Sequence, residues 1–284
     1  MGGETELEFT GGIDGPSTLR ALAAHTIPGA EVHDPVSGSH TRLIGSSRGL
    51  CHATVTIGHD RVLLTVDSTD ETQRSEVEAT VRRWLDLDTD LAPIVQALEG
   101  DPVIGPLIAA RPGLRIVGYP DGFETAILII LGQQVSLAAG RTFGGRLVEK
   151  FGSAGPGELT AFPTPEQLAD VPVEDLRVAV GITGSRARTL AAVSRAFASG
   201  FTLEPDGDHL LARATLLEMH GVGPWTADCL ALRVLRDPDA FPSGDLVLRK
   251  ALGGVTAKEA ERMSQAWRPW RAYALFHLWT STSY

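Results

Sequence analysis

Short apolar runs broken by polar residues fill positions 1–85 of the chain, and longer apolar runs with a helical period fill almost everything beyond residue 91. Residues 7–10, 41–44, 53–57 and 62–66 are brief and mostly rich in β-branched side chains, which predicts strands; residues 53–66 predict a hairpin turning at Gly58, His59 and Asp60. Residues 17–24 and 75–85 predict helices. The expected fold class is therefore α+β, with an N-terminal domain over residues 1–85 built on a small antiparallel sheet and an all-α region over residues 86–284. Its helices are punctuated by joints such as Arg111-Pro112-Gly113 and Phe162-Pro163-Thr164-Pro165.

The most informative helical pair is the segment LEMHGVGPWTADCLALRVLRDPDAFPSGD, residues 217–245, within a hairpin expected over residues 211–236. Gly221 and Gly223 suit the positive φ angles of a tight reversal, and Pro224 suits the first position of the following helix, where its missing N–H costs nothing. Free backbone N–H groups at such a helix start form an anion site, and main-chain donors grip a nucleic-acid backbone without reading its sequence. A plain helix–turn–helix corner in a core satisfies the same pattern. Asp245, 22 positions after Gly223 and just before the apolar-periodic run LVLRKAL, is either a helix N-cap or a group with chemistry to do, and the two roles are compatible.

A second block lies in residues 123–135, where a strongly apolar helix runs into Gly132-Gln133-Gln134-Val135. Polar amides there are more often loop caps than functional groups. Composition sharpens the picture of the partner. The net charge of −10 argues against DNA, but residues 1–100 hold 7 Lys+Arg and 16 Asp+Glu, against 18 and 19 in residues 101–284. Acidity is thus concentrated in the first third, and any DNA contact should lean on backbone amides, with a shallow salt dependence. Cys51 and Cys229 are too few for a disulfide framework or a cysteine cluster, and no spacing of His, Cys or carboxylates predicts a catalytic metal. No apolar run is long enough to span a membrane and no secretory leader pattern is present, so a cytoplasmic protein with no membrane partner is expected.

Taken together, GVGPWTA, Phe241-Pro242, Asp245, the LGQQV joint and the C-terminal run WRPWRAYALFHLWTSTS resemble the helix-hairpin-helix DNA glycosylases, and within them the DNA-3-methyladenine glycosylase II family. The resemblance implies a TBP-like N-terminal domain and a pair of helical subdomains with the active-site cleft between them. It also implies removal of alkylated bases from double-stranded DNA by a monomeric bacterial enzyme that needs no cofactor. Asp245 matches the essential aspartate, Gln134 the wedge that fills the space left by a flipped base, and Gln133, Gly221, Val222, Gly223 and Thr226 the DNA-binding positions. The backbone carbonyls of Leu217, Met219 and Val222 match a site for Na⁺ or K⁺ bridging to a phosphate. Trp225 and Trp279 match the aromatic wall of the base pocket. In lyase-competent relatives a lysine stands where this chain has Trp225, so hydrolysis without strand cleavage is implied.

Two base-pocket positions depart from the family pattern. Cys229 replaces a tyrosine and Ala21 a phenylalanine, which predicts a roomier, less aromatic pocket and a shift toward bulky or uncharged lesions. His220 and His277 are expected to be turn and packing residues, Trp84 a core residue, and Lys250 a surface or phosphate-facing one. Two other readings compete: a non-catalytic lesion-binding protein, which would release no base, and a bifunctional oxidised-base glycosylase, which would form a trappable covalent adduct.

Overall fold

The computed structural model describes residues 3–283. The strand-bearing N-terminal part of the chain comprises β1 (Glu4–Leu7), α1 (Gly15–His25), β2 (Glu31–Asp34), β3 (Ser39–Ser46), β4 (Gly49–Ile57), β5 (Val62–Val66) and α2 (Glu71–Trp84). The five strands form one antiparallel sheet in the order β1-β5-β4-β3-β2. In β4 every second side chain from Cys51 to Ile57 is buried, so one face of the sheet is core and α1 and α2 cover it. Strand β5 coincides with the predicted run, whereas β1 lies a few residues earlier than expected, at the start of the chain. Strand β2 has no counterpart in the expectation. Its sequence EVHD is short and polar, and it is strand only because Glu31 to Asp34 pair with Ser39 to Arg42 of β3.

The helical part runs through α3 (Ala92–Leu98), α4 (Gly105–Ala110), α5 (Gly122–Gly132) and α6 (Leu137–Phe151). A two-stranded ribbon, β6 (Ser153–Ala154) and β7 (Thr160–Ala161), interrupts the helices that were expected throughout this region. Then follow α7 (Pro165–Ala169), α8 (Val173–Val180), α9 (Gly184–Ala198), α10 (His209–Glu218), α11 (Pro224–Arg233), α12 (Leu246–Ala251), α13 (Ala257–Ser264) and α14 (Arg271–Ser283). Most of these helices carry their own start signal. Asp121, Ser136, Thr183, Asp208 and Asp245 each accept a backbone N–H from the first turn, and Thr164 and Thr256 form full capping boxes.

Two large hydrophobic cores, with a small third cluster of Ile27, Ala30 and Val148, divide the described residues. The second is built by residues from Phe123 to Leu235, on α5 to α11. The first combines the N-terminal sheet and helices with Leu232, Phe241, Leu248, Trp267 and much of α14, so the chain crosses into the second core and returns. Polar knots lock the return. Asp86, at φ 57°, accepts from Arg236 (2.6 Å), Tyr273 (2.8 Å) and Thr89 (2.5 Å), joining the end of α2 to the segment after α11 and to α14. Arg42 of β3 bonds Glu31 (2.6 Å) and Glu124 of α5 (2.6 Å), all three buried, and thereby pins the sheet to the second core. Burial raises the Glu124 carboxyl to about 7 against the opposing pull of Arg42. Trp84 is buried beside His40 and Arg42, as a core tryptophan.

His40 and His277 are also buried, and burial followed by a neighbouring arginine lowers them to about 3 and about 4. The unfolded chain takes up a proton at each near 6.5 and the folded protein does not, so these histidines cost stability as pH falls below 6.5. Urea unfolding at pH 5 to 6 should therefore show a shallower slope of stability against pH in His40→Gln than in the parent. The expected difference is about 1.2 kcal/mol per pH unit, because the unfolded histidine is not fully protonated over that range.

Candidate active site

Helix α12 begins at Asp245 because its Oδ1 accepts the amide of Leu248 at 2.8 Å. The same carboxylate takes two further hydrogen bonds from distant helices. Trp279 of α14 donates its indole N–H to Oδ1 (3.0 Å), and Trp225 of α11 donates to Oδ2 (3.1 Å). Three elements thus converge on one carboxyl group, and no arginine or lysine donates to it among the described residues. Both tryptophans line the cleft as expected of a base pocket, but each also aims the aspartate. No local sequence signal shows that second role, since the partners lie 20 and 34 positions away.

Asp245 opens onto a cleft of about 490 Å³ between the two cores. Its walls come from α1 (His25), the segment before α5 (Tyr119), α6 (Arg141), α11 (Trp225, Cys229, Arg233) and α14 (Trp279). Cys229 is buried in the wall, and its thiol is pushed well up by burial and by the nearby Asp245. Ala21 is corrected: at 3% exposure it does not line the cleft but borders a narrow space behind His25, Tyr119 and Arg233. The rings of His25 and Tyr119, edge to face at 6.0 Å, stand on that side and add aromatic surface that the sequence does not signal. Neither His25 nor Tyr119 was singled out from sequence, because nothing local places α1 or the turn before α5 beside α11.

Arg233 was missed for a different reason: it sits in an apolar helical run and looks like a surface cation. It is 8% exposed, with its guanidinium 4.9 Å from the Phe276 ring and 5.3 Å from the Trp279 ring, and it donates to the carbonyl of Val117. Arg141 bonds the carbonyl of Thr26 (2.9 Å) and also lines the cleft. Burial, then Arg233 and Arg141, lower His25 to about 3, so its ring is neutral at physiological pH.

The hairpin joins α10 to α11. Gly221 has φ 77°, and a Cβ there would stand 1.9 Å from Thr189 Oγ1. Gly223 departs from expectation: its φ is −103°, open to any residue, and a Cβ would meet nothing within 4 Å. Gly223 is the N-cap of α11 and supplies no side-chain oxygen, which leaves the first amides of that helix uncapped. Val222 is buried and anchors the turn, and Met219 is the C-cap of α10. The Met219 carbonyl also accepts the Val222 amide (3.1 Å). With Leu217 in the last turn, the carbonyl set is neutral and hard, a chemistry that suits a monovalent cation.

Two expected DNA contacts look inward instead. The Gln133 side-chain amide donates to Thr226 Oγ1 (2.9 Å) and to the Gly221 carbonyl (3.2 Å), and Thr226 is only 1% exposed. The wedge loop is therefore strapped to the hairpin by Gln133, while Arg186 grips the Gln133 carbonyl from α9. Gln134 is exposed at φ 55°, the left-handed conformation of a side chain held out by its loop. Lys250 is exposed on α12, no lysine among the described residues lines the cleft, His220 is exposed in the turn, and His277 is packed in α14.

Residues 4–121 match the AlkA N-terminal domain, and residues 127–272 match the model of the HhH-GPD superfamily base excision DNA repair proteins. The chain belongs to the HhH-GPD superfamily. It is 39% identical over 269 residues to a probable bifunctional transcriptional activator/DNA repair enzyme AlkA of Mycobacterium tuberculosis, covering 92% of this chain and 53% of that protein. The chain thus spans about half the length of that relative. It is 31% identical over 264 residues to DNA-3-methyladenine glycosylase 2 of Escherichia coli, covering 92% of this chain and 91% of that one. In three dimensions it superposes on a 3-methyladenine DNA glycosylase from Archaeoglobus fulgidus with a TM-score of 0.85 at 18% identity, covering 98% of both chains, which shows the shared fold.

The two hairpin glycines should separate by experiment. Gly221→Ala meets Thr189 and a left-handed backbone, and should lose about 1–3 kcal/mol in thermal or urea unfolding. Gly223→Ala should unfold within about 0.5 kcal/mol of the parent and yet bind duplex DNA more weakly in a fluorescence-anisotropy titration.

Proposed function

We propose that this protein is a monofunctional DNA glycosylase that turns a damaged nucleotide out of double-stranded DNA and hydrolyses the N-glycosidic bond of an alkylated purine, leaving an abasic site. The observation that carries the proposal is the Asp245 carboxylate, aimed by two indole N–H groups at a cleft of base-accepting size. As the glycosidic bond lengthens the sugar gains oxocarbenium character, and a fixed anion beside it stabilises the transition state more than the ground state. Its donors also prevent the carboxylate from swinging away, so little reorganisation is needed when the charge develops.

The rest of the surface follows from that chemistry. Uncapped amides at the start of α11 and the open space over Gly223 admit a backbone phosphate, and the carbonyls of Leu217, Met219 and Val222 would hold Na⁺ or K⁺ against it. Gln134 enters the vacated stack and offsets part of the cost of flipping, roughly a few kcal/mol, with its amide facing the orphaned base. Trp225 and Trp279 receive the flipped base. The absence of a lysine among the cleft-lining residues supports hydrolysis over Schiff-base chemistry. The protein acts as a monomer in the cytoplasm, at the nucleoid; no helix among the described residues is long and apolar enough to cross a membrane.

The test is base release from alkylated duplex DNA by the parent and by Asp245→Asn, which keeps the size of the side chain. Release should fall by about 10²–10³-fold or more, while binding to duplex containing an abasic-site analogue persists. Binding without release by the parent would instead support a lesion-marking protein, and a borohydride-trapped adduct would support lyase chemistry.

A further inference from the structure

The charges around the cleft do not suit a cationic base as well as its tryptophans do. Besides Asp245, which lies on the sugar side by the reading above, the charged groups in the wall are Arg141 and Arg233. No second carboxylate among the described residues lines the pocket to receive a positively charged purine, and His25 is held neutral by burial and by the same two guanidinium groups. Arg233 lies over the Trp279 ring at 5.3 Å and over the Phe276 ring at 4.9 Å, so a fixed cation already uses the π-face attraction that would draw a cationic base to Trp279. Its 8% exposure means that water screens the charge poorly.

We infer that Arg233, assisted by Arg141, is a specificity-determining residue that favours excision of neutral damaged bases by stabilising the negative charge that develops on such a base as it leaves. The inference rests on the glycosylase reading and extends it to the leaving group. When the C1′–N bond breaks, its electron pair goes to the base nitrogen. A cationic methylated purine departs neutral and needs no help, whereas a neutral base departs as an anion. Water then adds to C1′ and gives up a proton, and the base anion takes up a proton, so the products are the free base and the abasic sugar. The two guanidinium groups act only on the second kind of leaving group, because only there does charge of opposite sign appear beside them during the reaction. They also oppose ground-state binding of a cationic base.

Single-turnover release decides the matter, with duplexes carrying one hypoxanthine (neutral) or one 7-methylguanine (cationic) in the same sequence. In the parent both bases should be released. In Arg233→Gln the ratio of hypoxanthine to 7-methylguanine release should fall at least about tenfold, and Arg233→Lys, which keeps the charge, should restore much of it. Arg141→Gln should move the ratio in the same direction by a smaller factor. Because Arg233 also bonds the Val117 carbonyl, its glutamine variant can lose structure; Arg233→Lys and Arg141→Gln then carry the comparison. Equal losses on both substrates would assign Arg233 a structural role and overturn the inference, as would an unchanged ratio. A parent that releases 7-methylguanine but not hypoxanthine would overturn it while leaving the glycosylase reading intact, and a parent that releases neither would overturn both.

Discussion

Three N–H donors from three helices meet on the Asp245 carboxylate, and most of the architecture can be understood as the means of bringing them there. The cap to Leu248 is local and would form wherever α12 formed. The bonds from Trp225 and Trp279 are not local, and they require α11 and α14 to stand on either side of the aspartate. A carboxylate beside a cleft with no cation donating to it depends on such bonds for its position. Neutral donors fix it without neutralising it, which a guanidinium or ammonium partner would do.

The two-core organisation supplies that geometry. Helix α11 ends at the junction of the cores: Val234 and Leu235 belong to the second core and Leu232 to the first. Helices α12 and α14 belong to the core shared with the N-terminal sheet. The cleft is the seam between the cores, so its walls are drawn from parts of the chain as far apart as His25 and Trp279. The seam is kept in register by polar interactions at its margins, Arg42 with Glu31 and Glu124 on one side and Asp86 with Arg236 and Tyr273 on another. A buried ion pair adds little net stability but is costly to break or mispair, which suits a joint that must have one geometry. The seam also brings distant parts of the chain to the cleft: α1 lends it His25, and the segment before α5 lends it Tyr119.

Gln133 shows how a residue noticed for a role at the surface can also hold two loops together. An amide after an apolar helix invites a role at the surface, yet its side chain is spent on Thr226 and on the Gly221 carbonyl. It binds the loop that presents Gln134 to the hairpin that presents Gly223, so the two expected DNA-facing features form one unit. Gly221 and Gly223 divide in the same way. One is glycine because of its own fold, with positive φ and Thr189 in the way of a Cβ, and the other has no internal reason to be glycine. Identical residues two positions apart answer to different constraints, and only the backbone angles and neighbours tell them apart.

The sequence alone determined what depends on neighbours along the chain. Strand β5, the start of α11 at Pro224, the cap at Asp245 and the switch from a strand-rich first domain to helices all follow from short-range patterning, where propensity and capping act. The tertiary structure decided what depends on contacts between distant segments. Strand β2 exists through its pairing with β3, and the aspartate is aimed by indoles 20 and 34 residues away. Ala21 was withdrawn from the pocket and His25, Tyr119 and Arg233 were placed in it, since helix packing rather than spacing chooses which side chains share a cavity. Hydrogen bonds and burial across the seam leave no period or spacing in the chain, and so the electrostatic character of the cleft became visible only once its two halves were brought together.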